Sequence, residues 1–183
     1  MLEVKTAGKL GYCFGVSQAI DKAISFAEEN GPLYTLGPLA HNEAVVELLR
    51  EHGIEPVAGL GESPYAELPK RGMNVAITAH GAPPETYHYL KGFDCKVLDC
   101  TCPIVGKAQA MVSQQLDGFD IVIFGDPGHQ EVIGLNGWAG GARFVGTFVD
   151  LFTAEQGHRK LKLGKKVGVI SQLPSYRLCS WTL

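Results

Sequence analysis

Two cysteines stand where buried packing explains them poorly. Cys13 lies in Gly11-Tyr12-Cys13-Phe14-Gly15-Val16, and Cys102 in Asp99-Cys100-Thr101-Cys102-Pro103-Ile104-Val105. Each follows a short apolar stretch and opens helical text. A helix N-terminus presents unpaired N–H groups and the positive end of the dipole, which favour a thiolate or a bound anion. Cysteine before proline at a strand end is also a setting found in iron–sulfur proteins. Three comparable loops end in His41, His80 and His129. Histidines beside helix N-termini and glycine turns suit the oxygens of a pyrophosphate group. Glu131 follows His129 by two residues and could complement a helix dipole or donate a proton in a closed pocket. Glu43 holds the same place after His41, and symmetry alone does not choose between them. Together these residues suggest redox chemistry on an anionic substrate.

The elements that must position them alternate at short intervals. Strands are expected at 2–5, 33–36, 55–58, 74–78, 96–98, 120–124, 143–145 and 166–171. Helices are expected over 14–29, from Asn42 to near Gly53, and over 84–91, 103–117 and 130–138. In the first helix Val16, Ala19, Ile20, Ala23, Ile24 and Ala27 recur at helical spacing. The helix at 103–117 carries Ile104, Val105, Ala108, Met111 and Val112, with Met111 read as a core residue. Alternation of this kind argues for parallel α/β layers, whose strand ends face a ligand crevice.

The pattern repeats. The loop from Gly37 through His41 to Glu43 matches the loop from Gly125 through His129 to Glu131 at a spacing of 88 residues, which also carries Gly53 to Gly141 and Val57 to Val145. A spacing of 89 carries Cys13 to Cys102, and one of 92 carries Val75 to Val167 and His80 to Gln172. Two copies of one α/β unit account for the ordered set, with a first unit over 1–102 and a second over 103–183. The register expects another cysteine about as far beyond Gln172 as Cys102 lies beyond His80, which is past Leu183. Cys179 comes too early for that place.

Composition excludes several classes. Sixteen basic and 19 acidic side chains leave a net charge of −3, with no basic patch to suggest nucleic acid or an anionic membrane surface. Apolar stretches are strand-sized, and the N-terminus lacks a signal-peptide core, so a cytoplasmic location is expected. Five cysteines in such a chain argue against disulfides. Cys100 and Cys102, two apart on extended chain, point to opposite sides, and Cys102 is the better ligand because it immediately precedes the helix. Cys95 is read as incidental, and His52, His88 and His158 as surface residues. No loop matches a nucleotide fingerprint.

At these residues the chain resembles the LytB/IspH family of 4-hydroxy-3-methylbut-2-enyl diphosphate reductases. The likeness rests on Gly11-Tyr12-Cys13-Phe14-Gly15-Val16, Gly37-x-x-x-His41-Asn42, Thr78-Ala79-His80-Gly81, Asp99-x-Thr101-Cys102-Pro103-x-Val105 and Gly125-x-x-Gly128-His129-x-Glu131-Val132. The resemblance implies a trefoil-like arrangement of three pseudo-symmetric α/β units around a central iron–sulfur cluster of the 4Fe–4S type. It places cluster ligands at Cys13 and Cys102, diphosphate-binding histidines at His41, His80 and His129, and a proton relay at Glu131 with His129. It implies an allylic diphosphate substrate and reductive removal of its hydroxyl to give isopentenyl and dimethylallyl diphosphates, with electrons from a ferredoxin or flavodoxin-like donor. Two departures are visible. Where the family has a Thr-Gln-Thr-Thr run, this chain has Ser171-Gln172-Leu173-Pro174, and the third unit with its cysteine has no counterpart. The chain alone is therefore expected to be inactive or very weak as a reductase unless a second copy or subunit completes the cluster site. The alternatives are a non-catalytic paralog or fragment, and a small-anion-binding module with a structural metal such as zinc.

Overall fold

A computed structural model of the 183-residue chain describes residues 11–40, 42–57, 70–116, 118–142, 144–147, 150 and 166–171. The expected strand at 2–5, His41, His158, Leu173, Pro174 and Cys179 lie outside the described residues. The elements run α1 (Phe14–Asn30), β1 (Leu33–Leu36), α2 (Glu43–Glu51), β2 (Ile54–Val57), β3 (Asn74–Ile77), α3 (Pro84–Gly92), β4 (Lys96–Asp99), α4 (Pro103–Ala110), β5 (Asp120–Phe124), α5 (Gln130–Trp138), β6 (Phe144–Gly146) and β7 (Val167–Ser171). The described strands form two parallel sheets, β2-β1-β3-β4 and β6-β5-β7. This is the mixed α/β architecture that the alternating pattern predicts.

Side-chain alternation along the strands builds the first core on both faces of its sheet. On one face, Ala19, Ala23 and Ala27 of α1 and Val45 and Leu49 of α2 pack with Leu33, Ile54, Ala76 and Cys100. Small alanines let α1 lie close to the sheet. On the other, Val75 and Ile77 pack with Leu36, Ala82 and Leu90 around α3. The second core joins Val112, Ile121, Ile123, Val132 and Leu135. Strands β2-β1-β3 and β6-β5-β7 follow the same order, as the repeat implies.

Register corrects the repeat in detail. Tyr34 pairs with Val75, and Val122, 88 residues after Tyr34, pairs with Val169. Val75 is thus equivalent to Val169, a spacing of 94 rather than 92. A valine at every second position makes the strand text self-similar at a shift of two, which preserves the buried face. Likewise Leu36 pairs with Val57 but Phe124 with Gly146, one residue beyond the expected Val145.

The helix expected over 103–117 is α-helical only to Ala110 and continues as a wider π-turn over Met111–Gln115. Ala108, Val112 and Leu116 all pack on the second core. A spacing of four drifts by about 40° per step on a 3.6-residue helix, and a wider turn removes much of that drift. Met111 is consequently 40% exposed rather than a core residue, and Ile104 is also turned outward.

The α5 helix joins the second sheet to the first. Trp138 Nε1–H donates to the Ala82 carbonyl at 2.9 Å, and its ring meets Tyr87 edge-on. Gly137 faces Pro83 so closely that a methyl there would overlap the proline ring, while Gly134 faces the Ala82 backbone. Among the described residues no helix is long and apolar enough to cross a membrane.

Candidate functional site

Cys13 and Cys102 occupy the N-cap positions of α1 and α4, and neither helix has a side-chain cap. A thiolate or an inorganic anion is therefore an available acceptor for the first-turn N–H groups. Pro103 at the first position of α4 supplies a helical φ and removes a donor that would otherwise lack a partner. Cys102 packs against Gly15 in the first turn of α1, two residues after Cys13. A Cβ built on that buried glycine would lie 2.6 Å from Cys102 Sγ. Glycine at this place opens the room that the second thiol occupies. Cys13 is exposed and Cys102 half-buried.

Cys100 goes the other way. Its side chain is buried in the first core, with Sγ 3.8 Å from the Ala19 carbonyl oxygen, and burial pushes its thiol up to about 11. Cys95 is half-buried beside the Phe93 carbonyl, and burial raises its thiol pKa too. His52 and His88 are exposed, as their polar context predicts.

The backbone brings His80 to the cysteines. Cys100 N–H donates to the Ile77 carbonyl and Cys102 N–H to the Ala79 carbonyl, each at 3.0 Å, which zips the segment after β4 to the one after β3. His80 and Cys13 line one cavity of about 380 Å³ with Tyr12, Leu39, Ala40 and Asn42. Ala40 and Asn42 flank His41 in sequence. Asn42 caps α2, its Oδ1 accepting from the Ala44 and Val45 N–H groups. Cys102 also lines a second cavity of about 680 Å³ between α3, α4 and α5, with Tyr87, Asp99, Gln109 and Trp138 on its wall. Burial, the largest cause, pushes the Tyr87 phenol there up to about 12.

His129 stands against His80, ring centroids 5.2 Å apart and nearly perpendicular. It caps α5, its Nδ1 accepting from the Glu131 N–H at 3.2 Å. Only a deprotonated Nδ1 can accept, so neutral His129 carries its proton on Nε2. Glu131 is 8% exposed, whereas Glu43, its counterpart in the first copy, is exposed. The two acids that look equivalent in sequence thus differ in surroundings.

Gln130, which no motif in the sequence singles out, holds this group together with Thr78. Gln130 reaches from α5 to the first sheet, where Nε2–H donates to the Leu36 carbonyl at 3.4 Å and Oε1 accepts from the Thr78 hydroxyl at 3.2 Å. Thr78 Oγ in turn lies 3.2 Å from His80 Nδ1. Gly37, at φ +82°, has no side chain because the Gln130 amide occupies that space. The paired glycine and glutamine, 93 residues apart, leave no pattern in the sequence.

The residues present suit part of an iron–sulfur site. Two thiols stand at two helix N-termini without side-chain caps, and the Cys102 thiol lies against the glycine two residues after Cys13. Among the described residues no group of three cysteine, histidine or carboxylate side chains is placed to hold a single metal ion.

Comparison with known proteins gives a consistent result. A family model described as LytB protein matches residues 4–174. The chain is 42% identical over 140 residues to the 4-hydroxy-3-methylbut-2-enyl diphosphate reductase of Alkaliphilus oremlandii, covering 75% of this chain and 48% of the relative. It is 33% identical over 172 residues to the reductase of the same name from Geobacter metallireducens, covering 93% and 56%. Among solved structures, an (E)-4-hydroxy-3-methyl-but-2-enyl diphosphate reductase, described as the terminal enzyme of the non-mevalonate pathway, superposes with a TM-score of 0.69 at 32% identity over 88% of this chain and 55% of that one. The Plasmodium falciparum reductase superposes at 0.73 with 25% identity over 88% and 48%. The chain spans about half the length of the curated relatives it matches.

Proposed function

The chain belongs to the LytB protein family, and from that premise we propose that it serves the reductive dehydroxylation of 4-hydroxy-3-methylbut-2-enyl diphosphate, the reaction for which its relatives are named. The observation that carries this reading is the convergence of Cys13, Cys102, His80 and His129 at the ends of β3 and β4 and the starts of α1, α4 and α5. Cys13 and Cys102 would hold an iron–sulfur cluster of the 4Fe–4S type as two of its protein ligands. Such a cluster supplies the electrons, received from a ferredoxin or flavodoxin-like donor. The division into units over 1–102 and 103–183 is part of the same proposal, supported by the repeated strand order.

The chain's own residues bind the substrate and handle its protons. His129 Nε2–H donates to a diphosphate oxygen, and His80 and His41 complete the anion pocket. Replacing water by fixed donors around a polyanion is favourable because charge-assisted hydrogen bonds are strong. Glu131, held in the first turn of α5 beside His129, delivers a proton to the departing hydroxyl, which leaves as water. Two electrons and two protons convert the alcohol carbon to a hydrocarbon, giving isopentenyl and dimethylallyl diphosphates.

The test is turnover of the allylic diphosphate with reduced methyl viologen after anaerobic reconstitution. The reading expects weak turnover by the chain alone, abolished in Cys13→Ser and strongly reduced in Glu131→Gln with the cluster retained. A cluster-loaded chain that neither binds nor reduces the diphosphate would overturn it.

A further inference from the structure

The chain leaves β4 at Asp99 and reaches Cys102 through a short turn, and both oxygens of the Asp99 carboxylate are engaged around it. Oδ1 accepts from the Thr101 N–H at 2.9 Å and from the Thr101 hydroxyl at 2.5 Å, and Oδ2 accepts from the Tyr87 phenol of α3 at 3.0 Å. An aspartate that accepts from the N–H two residues on closes a turn with its own side chain. The phenol, pushed up to about 12 chiefly by burial, stays protonated and able to donate. Thr101 is held from a second side as well. A Cβ built on Gly81, at φ +74°, would lie 3.2 Å from Thr101 Cγ2, so the threonine methyl packs on the residue after His80.

The need for this carboxylate follows from the ladder beside it. Cys100 and Cys102 donate their N–H groups to the Ile77 and Ala79 carbonyls. The intervening Thr101 N–H points the other way, as alternate groups on extended chain do. Among the described residues β4 is the edge strand of its sheet, so no strand accepts from Thr101 on that side. Asp99 supplies the acceptor instead. We propose that Asp99 is a positioning residue for Cys102: braced by Tyr87, it closes the turn at Thr101 that sets Cys102 at the N-cap of α4 as a ligand of the iron–sulfur cluster. The inference rests on the reading that Cys102 holds that cluster.

Geometry, charge and plain stability make different demands on position 99. Asp99→Asn keeps an oxygen for the Thr101 N–H and hydroxyl, and its amide N–H can donate to the Tyr87 oxygen, so the turn is retained while the charge is lost. Asp99→Ala removes the turn and the charge together. Asp99 is exposed, so neither change empties a core. Tyr87→Phe removes only the brace from α3. Ile121→Val, in the second core, lowers stability without touching the turn.

The experiment reads the turn and the cluster separately in the full chain. Amide hydrogen exchange at Thr101 reports the turn, and the ferrozine concentration that strips half the iron after anaerobic reconstitution reports how firmly the cluster is held. In Asp99→Ala the Thr101 N–H should exchange ~10-fold faster, the worth of one hydrogen bond to a charged group. The stripping concentration should fall ~10-fold, the usual effect of losing a partner that orients a metal ligand. Asp99→Asn should match wild type in both, Tyr87→Phe should show a smaller loss in both, and Ile121→Val should keep wild-type iron retention while unfolding earlier. Wild-type exchange or wild-type iron retention in Asp99→Ala would overturn the inference. So would Asp99→Asn as weak as Asp99→Ala, which would make charge the cause, or equal iron loss in Ile121→Val, which would make stability the cause. In each of these cases the wild-type chain still loads, and the cluster reading stands. A wild-type chain that takes up neither iron nor sulfide would remove that reading, and this inference with it. Tyr87→Phe against wild type decides the matter should Asp99→Ala fold poorly, and no loss in either readout would then overturn the inference.

Discussion

Replacing Gly15 with alanine should separate the thiol site from the fold. The new Cβ would stand 2.6 Å from Cys102 Sγ and 3.0 Å from its Cβ. An ordinary contact begins near ~3.5 Å, so the Cys102 side chain must retreat by about 1 Å. Two terms oppose each other in stability. Overpacking costs about 1–3 kcal/mol, while alanine in place of a helical glycine returns about 0.8–1 kcal/mol. The net loss is therefore about 0–2 kcal/mol, a Tm shift of less than ~8 °C for a chain of this size. A ligand displaced by about 1 Å is a much larger perturbation to a metal centre, where first-shell geometry is held to about half an ångström. The assay is iron and acid-labile sulfide per chain after anaerobic reconstitution, run beside thermal unfolding. Gly15→Ala should fold and lose most of its iron and sulfide. Gly92→Ala, whose Cβ would meet nothing within 4 Å, is the control and should keep both. Wild-type iron and sulfide in Gly15→Ala would refute the reasoning.

Three other outcomes follow from the packing and the cores. Burial holds Cys100 protonated up to about 11 against an ordinary thiol value of 9.0, so the unfolded chain releases that proton first and stability falls as pH rises from ~9 to ~11, by ~2–3 kcal/mol in all. Urea unfolding between pH ~9 and ~10 should therefore show a shallower decline in Cys100→Ala, whereas an unchanged slope would contradict the assignment. Trp138→Phe removes the bond to the Ala82 carbonyl and should cost ~1–2 kcal/mol in denaturant unfolding; a change within error would mean that this contact does not join α5 to the first sheet. Asn42→Ala strips the cap of α2 and should cost ~1 kcal/mol by the same measurement, with Asn42→Asp recovering most of it.

Much of this arrangement is legible in the amino-acid sequence. The order of strands and helices follows from hydrophobic period, and the two-residue spacing of Cys100 and Cys102 implies that one side chain goes inward and one toward the helix. What stays hidden has physical reasons. The pairing of β7 is ambiguous in sequence because Val167, Val169 and the strand they belong to repeat every two residues. The exposure of Met111 depends on a π-turn, which no local residue type announces. Glu43 and Glu131 occupy the same place in the repeat, and only packing buries one of them. Gln130 looks like a neutral spacer between His129 and Glu131. Its importance comes from Thr78, 52 residues earlier in the chain, and from a glycine at position 37 that leaves it space.

The central claim is that Cys13 and Cys102 together hold an iron–sulfur cluster, and cysteine-by-cysteine reconstitution tests it most directly. Iron and acid-labile sulfide per chain should be measured under anaerobic conditions for wild type, Cys13→Ser, Cys102→Ser, Cys95→Ser and Cys100→Ser. The account predicts that wild type takes up iron and sulfide together, that Cys13→Ser and Cys102→Ser each lose most of both, and that Cys95→Ser and Cys100→Ser keep them. Retention of iron and sulfide in Cys13→Ser and Cys102→Ser, or a wild-type chain that takes up neither, would contradict it.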